Sequence, residues 1–205
     1  MMNYSFKTIL IIGFSVACLL ATAQEKNIIF GVKGGVNMAT LQDSKNTKSK
    51  PGPVAGITVD YNIEGDFFIL SGLEYVAKGI KVDGGEGNGD RVNLNYLQLP
   101  VHIAYKYELS PDVKLVAGIG PYLAYGISGE IKYKAIGDYE AYEVKAFEDG
   151  AYKSFDFGLG LGAGIEVSRI NLRIGYDYGL AKINDFQSIS ELKNSSIAFT
   201  AGLKF

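Results

Sequence analysis

Residues 155–167 read FDFGLGLGAGIEV. Glycine holds every second position from Gly158 to Gly164, while Phe155, Phe157, Leu159, Leu161, Ala163, Ile165 and Val167 hold the others. A side-chain period of two is that of an extended strand. Glycine weakens a strand interior and marks close approach of other groups. A strand so apolar on one face and so bare on the other suits a wall with an apolar phase outside and a crowded interior.

The same period governs eight segments: Ile28–Met38, Pro53–Ile63, Phe67–Ile80, Val92–Tyr107, Val113–Ile127, Phe155–Val167, Ile170–Ala181 and Ser195–Phe205. In the fourth, for example, Leu97, Leu99, Val101, Ile103 and Tyr105 oppose Gln98, Pro100, His102, Ala104 and Lys106. Only the third is irregular, because Phe68, Leu70 and Val76 interrupt its alternation. The connections 64–66, 108–112 and 168–169 are short, whereas 39–52, 81–91, 128–152 and 182–194 are long and polar. Short and long loops thus gather at opposite ends of a meander. An even number of ~10-residue alternating strands with this loop asymmetry predicts an all-β, eight-stranded antiparallel up-and-down transmembrane β-barrel. Eight strands leave an interior just wide enough for side chains, which accounts for glycine on the inward face. Outward aromatic residues fall at both expected interfaces: Phe30, Tyr61, Tyr105, Tyr107 and Phe205 at one end, Tyr75, Tyr125, Phe155 and Tyr178 at the other.

Residues 1–23 differ in kind, with Lys7 ahead of an apolar run from Ile9 to Ala21 and Ala21-Thr22-Ala23 before Gln24. This is the pattern of a secretory signal with an A-x-A cleavage site. The expected mature unit is one barrel domain, 24–205. Cys18 lies inside the signal and its surroundings, Ser15-Val16-Ala17, do not suit lipidation. The expected mature chain has no cysteine and so neither disulfides nor thiolate chemistry. A formal net charge of −2 with interspersed signs gives no basic patch for nucleic acid.

The stretches GLEYVAKG (72–79), NYLQLPVHIAYKY (95–107), GIGPYLAYG (118–126) and AFTAGLKF (198–205) resemble the outer-membrane β-barrel family of Bacteroidetes, the porin-family or PorT-like proteins. The most specific part is Tyr-Leu-x-Leu-Pro at Tyr96–Pro100. The resemblance implies a location in the outer membrane of a Gram-negative, Bacteroidetes-like bacterium. It implies outer-membrane lipid as surroundings and the barrel-assembly machinery as a partner, through the C-terminal strand ending at Phe205. One branch of that family takes part in type IX secretion and gliding.

Residues that carry chemistry are few. Gly158-x-Gly160-x-x-Ala163 imitates a dinucleotide fingerprint, but that motif must open a helix, and here the alternation continues to Val167. The segment GGEGNGDRV (84–92) approaches a calcium-binding nonapeptide, with Asp83, Glu86, Asn88 and Asp90 as oxygen donors, yet a single copy does not build the stacked turns of such sites. No cofactor is expected. The inward ionisable set is Lys33, Asp60, Glu74, Lys106, Asp156, Glu166, Arg173, Asp177 and Lys204, joined by the lone His102. Such a set either lines a narrow pore or forms a self-satisfying network that fills the lumen, and the small barrel favours the second reading. One histidine supplies neither a metal site nor a triad, so no enzyme is expected. The glycine face is expected to let long side chains from across the lumen, such as Arg173, Lys106 or Tyr122, lie against the wall. The loop 128–152 carries Tyr133, Tyr139, Tyr142 and Phe147 among charges. It is read as a solvated hairpin or as a recognition surface for an extracellular or envelope partner.

The expected function is a small non-enzymatic barrel with a largely filled lumen and long loops for interaction. The alternatives are a narrow porin and a PorT-like secretion or gliding accessory. A soluble lipocalin-like carrier is the rival at the level of fold.

Overall fold

The computed structural model describes residues 27–42, 47–82, 91–133, 140, 142–184 and 192–205. Among these run β1 (Ile28–Leu41), β2 (Thr47–Glu64), β3 (Phe67–Val82), β4 (Arg91–Ser110), β5 (Val113–Tyr133), β6 (Tyr142–Lys145), β7 (Phe155–Val167), β8 (Ile170–Gly179) and β9 (Asn194–Lys204). β6 is a short strand on the upper end of β5. The other eight pair antiparallel with their neighbours in space, and the β1–β9 and β4–β5 pairings close them into a barrel.

Burial follows the parity expected from sequence. Val32, Ile57, Leu73, Ile103, Ile119, Leu161, Ile174 and Phe199 lie on the outer wall and are exposed, Ile103 by 61%. A contiguous apolar exterior of this kind has no place in water and is matched by hydrocarbon. Phe68, Leu70 and Val76, which break the alternation of β3, are buried inside the lumen. They are core residues on a strand that is apolar on both faces.

The turns at one end are tight. Gly65 sits at φ 55° and Ser168 at φ 54°, and the Ser168 N–H donates to Asp112 O at 2.7 Å, tying two adjacent turns together. At the other end the wall is uneven. β2 to β5 have 16–21 residues, whereas β1, β7, β8 and β9 have 10–14. Residues 47–52 and 128–133, expected as loop, continue β2 and β5. Their outward side chains are polar, so hydrophobic alternation stops where lipid stops, while the hydrogen-bond ladder goes on.

One break interrupts the tall side. The β2–β3 ladder lapses between Ser49 and Val54, where Pro51 and Pro53 have no N–H to give. Asn37 Nδ2 reaches over from β1 and donates to Ala77 O at 3.0 Å, supplying a donor within the gap.

Candidate functional site: the barrel lumen and its mouth

Three polar layers stack inside the barrel. Nearest the tight turns, Asp60 Oδ2 takes Lys106 Nζ at 2.6 Å and Lys204 Nζ at 2.5 Å. Glu166 accepts from both lysines as well, with Lys106 at 3.3 Å. Two cations and two anions form a neutral quartet, its side chains 2–11% exposed. Lys106 also lies over the Phe68 ring, 4.2 Å from its centroid, and Phe68 packs with Leu70, Ala104 and Val116.

The middle layer holds Lys33 paired with Glu74 at 2.5 Å, and Asp177 Oδ2 accepting from Gln98 Nε2 at 2.9 Å. His102, Arg173 and these residues line an internal cavity of about 90 Å³. His102 Nε2 and Gln98 Oε1 are buried there with no hydrogen-bond partner among the described residues. A cavity of this size and polarity has room for ordered water.

In the upper layer Asp156 Oδ2 accepts from Asn194 Nδ2 at 2.8 Å and lies 3.3 Å from Lys78 Nζ, both pairs fully inside the wall. Lys78 sits 4.6 Å from the Tyr122 ring centroid and 5.4 Å from that of Tyr96, a cation over aromatic faces in a dry setting. Lys78 and Asn194 lie outside the ionisable set picked from sequence. Lys78 has the parity of Glu74 on the same strand, which is the signal that finds it, but Asn194 begins a strand inside an expected loop.

The bare face of β7 holds these side chains. A Cβ at Gly158 would meet Tyr122 Cε1 at 2.8 Å, one at Gly160 would meet His102 Nε2 at 2.6 Å, and one at Gly164 would meet Arg173 Cγ at 2.7 Å. Tyr122 and Arg173 therefore lie against the glycine wall, but from the adjacent strands, paired with Gly158 and Gly164, rather than from across the lumen; His102 of β4 is the side chain that reaches over. Lys106 does not, being held in the quartet.

Above these layers the mouth is closed by an apolar cluster. Leu41, Ile80, Val92, Leu94, Tyr96, Tyr122 and Ile131 from the wall meet Ala146, Tyr152 and Ile183 from the connections. The segment after β6 folds down and is fixed by backbone hydrogen bonds: Ala146 N–H to Gly129 O (3.0 Å), Tyr152 N–H to Ala146 O (2.8 Å) and Lys153 N–H to Ile183 O (2.7 Å). Tyr152 also bridges to Asn184. Burial in this cluster pushes the Tyr152 phenol up to about 12.

This corrects the picture of 128–152 as a solvated hairpin carrying exposed anchors. Phe147 is half-buried, edge-on to Tyr96 with centroids 5.6 Å apart, and its ring occupies the space that a side chain at Gly126 would need. Tyr133 and Tyr142 do stand on the β5–β6 extension, stacked at 4.6 Å and 18°. Below them Lys132 binds Glu143 at 2.7 Å, and Lys145 binds Glu148 at 2.6 Å, which raises the pKa of both lysines. Tyr139 and the oxygen donors Asp83, Glu86, Asn88 and Asp90 lie outside the described residues, as do residues 1–26.

Among curated proteins no match is found. Among solved structures the chain is similar to Neisserial surface protein A (14% identity, 87% of this chain and 97% of that one, TM-score 0.46). It is similar to OprG from Pseudomonas aeruginosa (13%, 87% and 96%, TM-score 0.46) and to Ail, the attachment invasion locus protein of Yersinia pestis (12%, 87% and 98%, TM-score 0.43). The family model described as outer membrane protein beta-barrel domain matches residues 22–185. With a closed eight-stranded wall, an apolar exterior and that match over most of its length, the chain belongs to the outer membrane protein beta-barrel domain family.

Proposed function

We propose that this small outer-membrane barrel is non-conducting and non-enzymatic, and that it works through its exterior and its long-loop end. The observation that carries this reading is the mouth plug. Ala146, Tyr152 and Ile183 descend into the barrel and pack on Tyr96 and Tyr122, above three polar layers that satisfy most of their own charges. A narrow porin would need those layers to part. The PorT-like resemblance adds a secretion or gliding accessory as the biological setting, with export by cleavage after Ala23 and a Bacteroidetes-like origin.

Planar-bilayer recording tests the proposal. The wild-type barrel is expected to give no stepwise openings. Openings whose size changes with Arg173→Ala or Glu166→Ala would overturn it in favour of a porin.

A further inference from the structure

The tall side of the wall carries an unusual row. Strand register places Lys48 opposite Lys81, Lys81 opposite Arg91, and Arg91 opposite Lys132. Their neighbours Ile80, Val92 and Ile131 are buried in the lumen, so the four cations face outward. Adjacent strands are about 4.8 Å apart, so the row spans four strands with each charge well inside the Debye length of the next. Like charges directly opposite one another destabilise a sheet. Lys132 is compensated by Glu130 at 3.3 Å and Glu143 at 2.7 Å, but Lys81 and Arg91 have no ion pair among the described residues. On the shorter side the outward upper positions of the strands carry Phe155, Tyr178 and Ile197 instead.

A second feature lies beneath the row. Lys50, Tyr75, Asn93, Asn95, Ser128 and Glu130 line a largely polar concavity of about 290 Å³ on the same wall, beside the Pro51–Pro53 break. Lys50 Nζ donates to Asn93 Oδ1 across it. From the apolar rim downward to upward, the outward pairs on β4 and β5 read Leu97–Tyr125, Asn95–Ser128, Asn93–Glu130 and Arg91–Lys132. Lipid-facing residues give way first to amides and hydroxyls, then to cations.

Height selects the occupant. The last exposed apolar side chain on this wall is Ile127, at the level of Asn95; Arg91 is four residues beyond Asn95, about 14 Å along the strand, or about 10 Å above the hydrocarbon at a tilt near 45°. A phospholipid headgroup layer is about 5–8 Å deep on each side. A phosphate at the cation row must therefore be carried on a taller headgroup, and the intervening amide and hydroxyl tier suits sugar hydroxyls. We infer that the outer face of β2–β5 is a binding site for the phosphorylated saccharide headgroup of an outer-leaflet glycolipid. The inference rests on the long-loop end facing outward and is independent of whether the lumen conducts.

The test is capture of lipid by the full-length barrel in detergent, with purified lipopolysaccharide, its dephosphorylated form and phosphatidylglycerol as probes. Wild type is expected to retain lipopolysaccharide, with affinity falling steeply as salt rises. Lys81→Gln/Arg91→Gln should lose at least tenfold in affinity, and dephosphorylated glycolipid should bind wild type as weakly as intact glycolipid binds that variant. Lys114→Gln, an exposed cation paired with Glu108 at the tight-turn end, should change nothing. A heat-dependent shift in gel mobility identifies folded variants, and the comparison is made among those. Equal binding by the double variant would overturn the inference, as would phosphatidylglycerol retained as tightly as lipopolysaccharide, or a soluble sulfated dextran preferred over both.

Discussion

The quartet of Asp60, Lys106, Glu166 and Lys204 makes a quantitative demand. Asp60→Asn leaves two lysines and one carboxylate in a site whose side chains are 2–11% exposed. At the 2.5–2.6 Å separations of Asp60 from its two lysines, each contact is worth about 6 kcal/mol at an effective dielectric near 20. Desolvation takes back several kcal/mol per ion, so removing one partner of such a pair costs about 3–5 kcal/mol net. Lys204→Met leaves one excess negative charge and should cost a similar amount. The double variant leaves Lys106 facing Glu166, neutral again, so the uncompensated buried charge that dominates each single loss is gone. Its loss should therefore fall at least ~3 kcal/mol short of the sum of the single losses. Because the chain has no tryptophan, urea unfolding in lipid vesicles is followed by far-ultraviolet circular dichroism. Single losses that add within ~0.5 kcal/mol would refute charge balance as what holds this layer together.

Two further predictions concern the mouth. Gly126→Val should evict the Phe147 ring, which occupies the space a side chain there requires, and hydrogen exchange at the Ala146 and Tyr152 amides should quicken while wall amides stay protected; unchanged exchange would contradict the plug. The Tyr152 phenol should titrate near pH 12, above the usual 10.0. A phenol raised on folding stabilises the plug fully below pH 10 and ceases to do so as the pH climbs through 12. The phenolate difference spectrum between wild type and Tyr152→Phe reads this, and a step near pH 10 would mean that Tyr152 is in water.

Much of this was legible because a strand's side chains alternate, so parity alone sends Val32 and Ile103 outward and Asp60 and Glu166 inward. Parity fails where both faces are apolar. Phe68, Leu70 and Val76 look like faults in the pattern of β3, yet they fill the lumen. The plug was hidden for another reason: Ala146, Tyr152 and Ile183 are scattered through polar connections with no period of their own, and their partners Tyr96 and Tyr122 are distant in sequence. The cation row is likewise invisible in one dimension, since Lys48, Lys81, Arg91 and Lys132 align only through register. Strand ends were misplaced on β2 and β5 because the hydrophobic signal follows the bilayer and the backbone ladder outlasts it.

The central claim is that the glycine face of β7 looks into a filled barrel and its apolar face looks at lipid. The sequence has one cysteine, Cys18, so in a form with Cys18 replaced, single cysteines can be placed in turn from Phe155 to Val167 and labelled with an environment-sensitive dye. The account predicts that labels at 157, 159, 161, 163 and 165 are quenched by brominated lipid, while cysteines at 158, 160, 162 and 164 either prevent folding or stay unquenched. Quenching at the even positions, or none at either set, would contradict it.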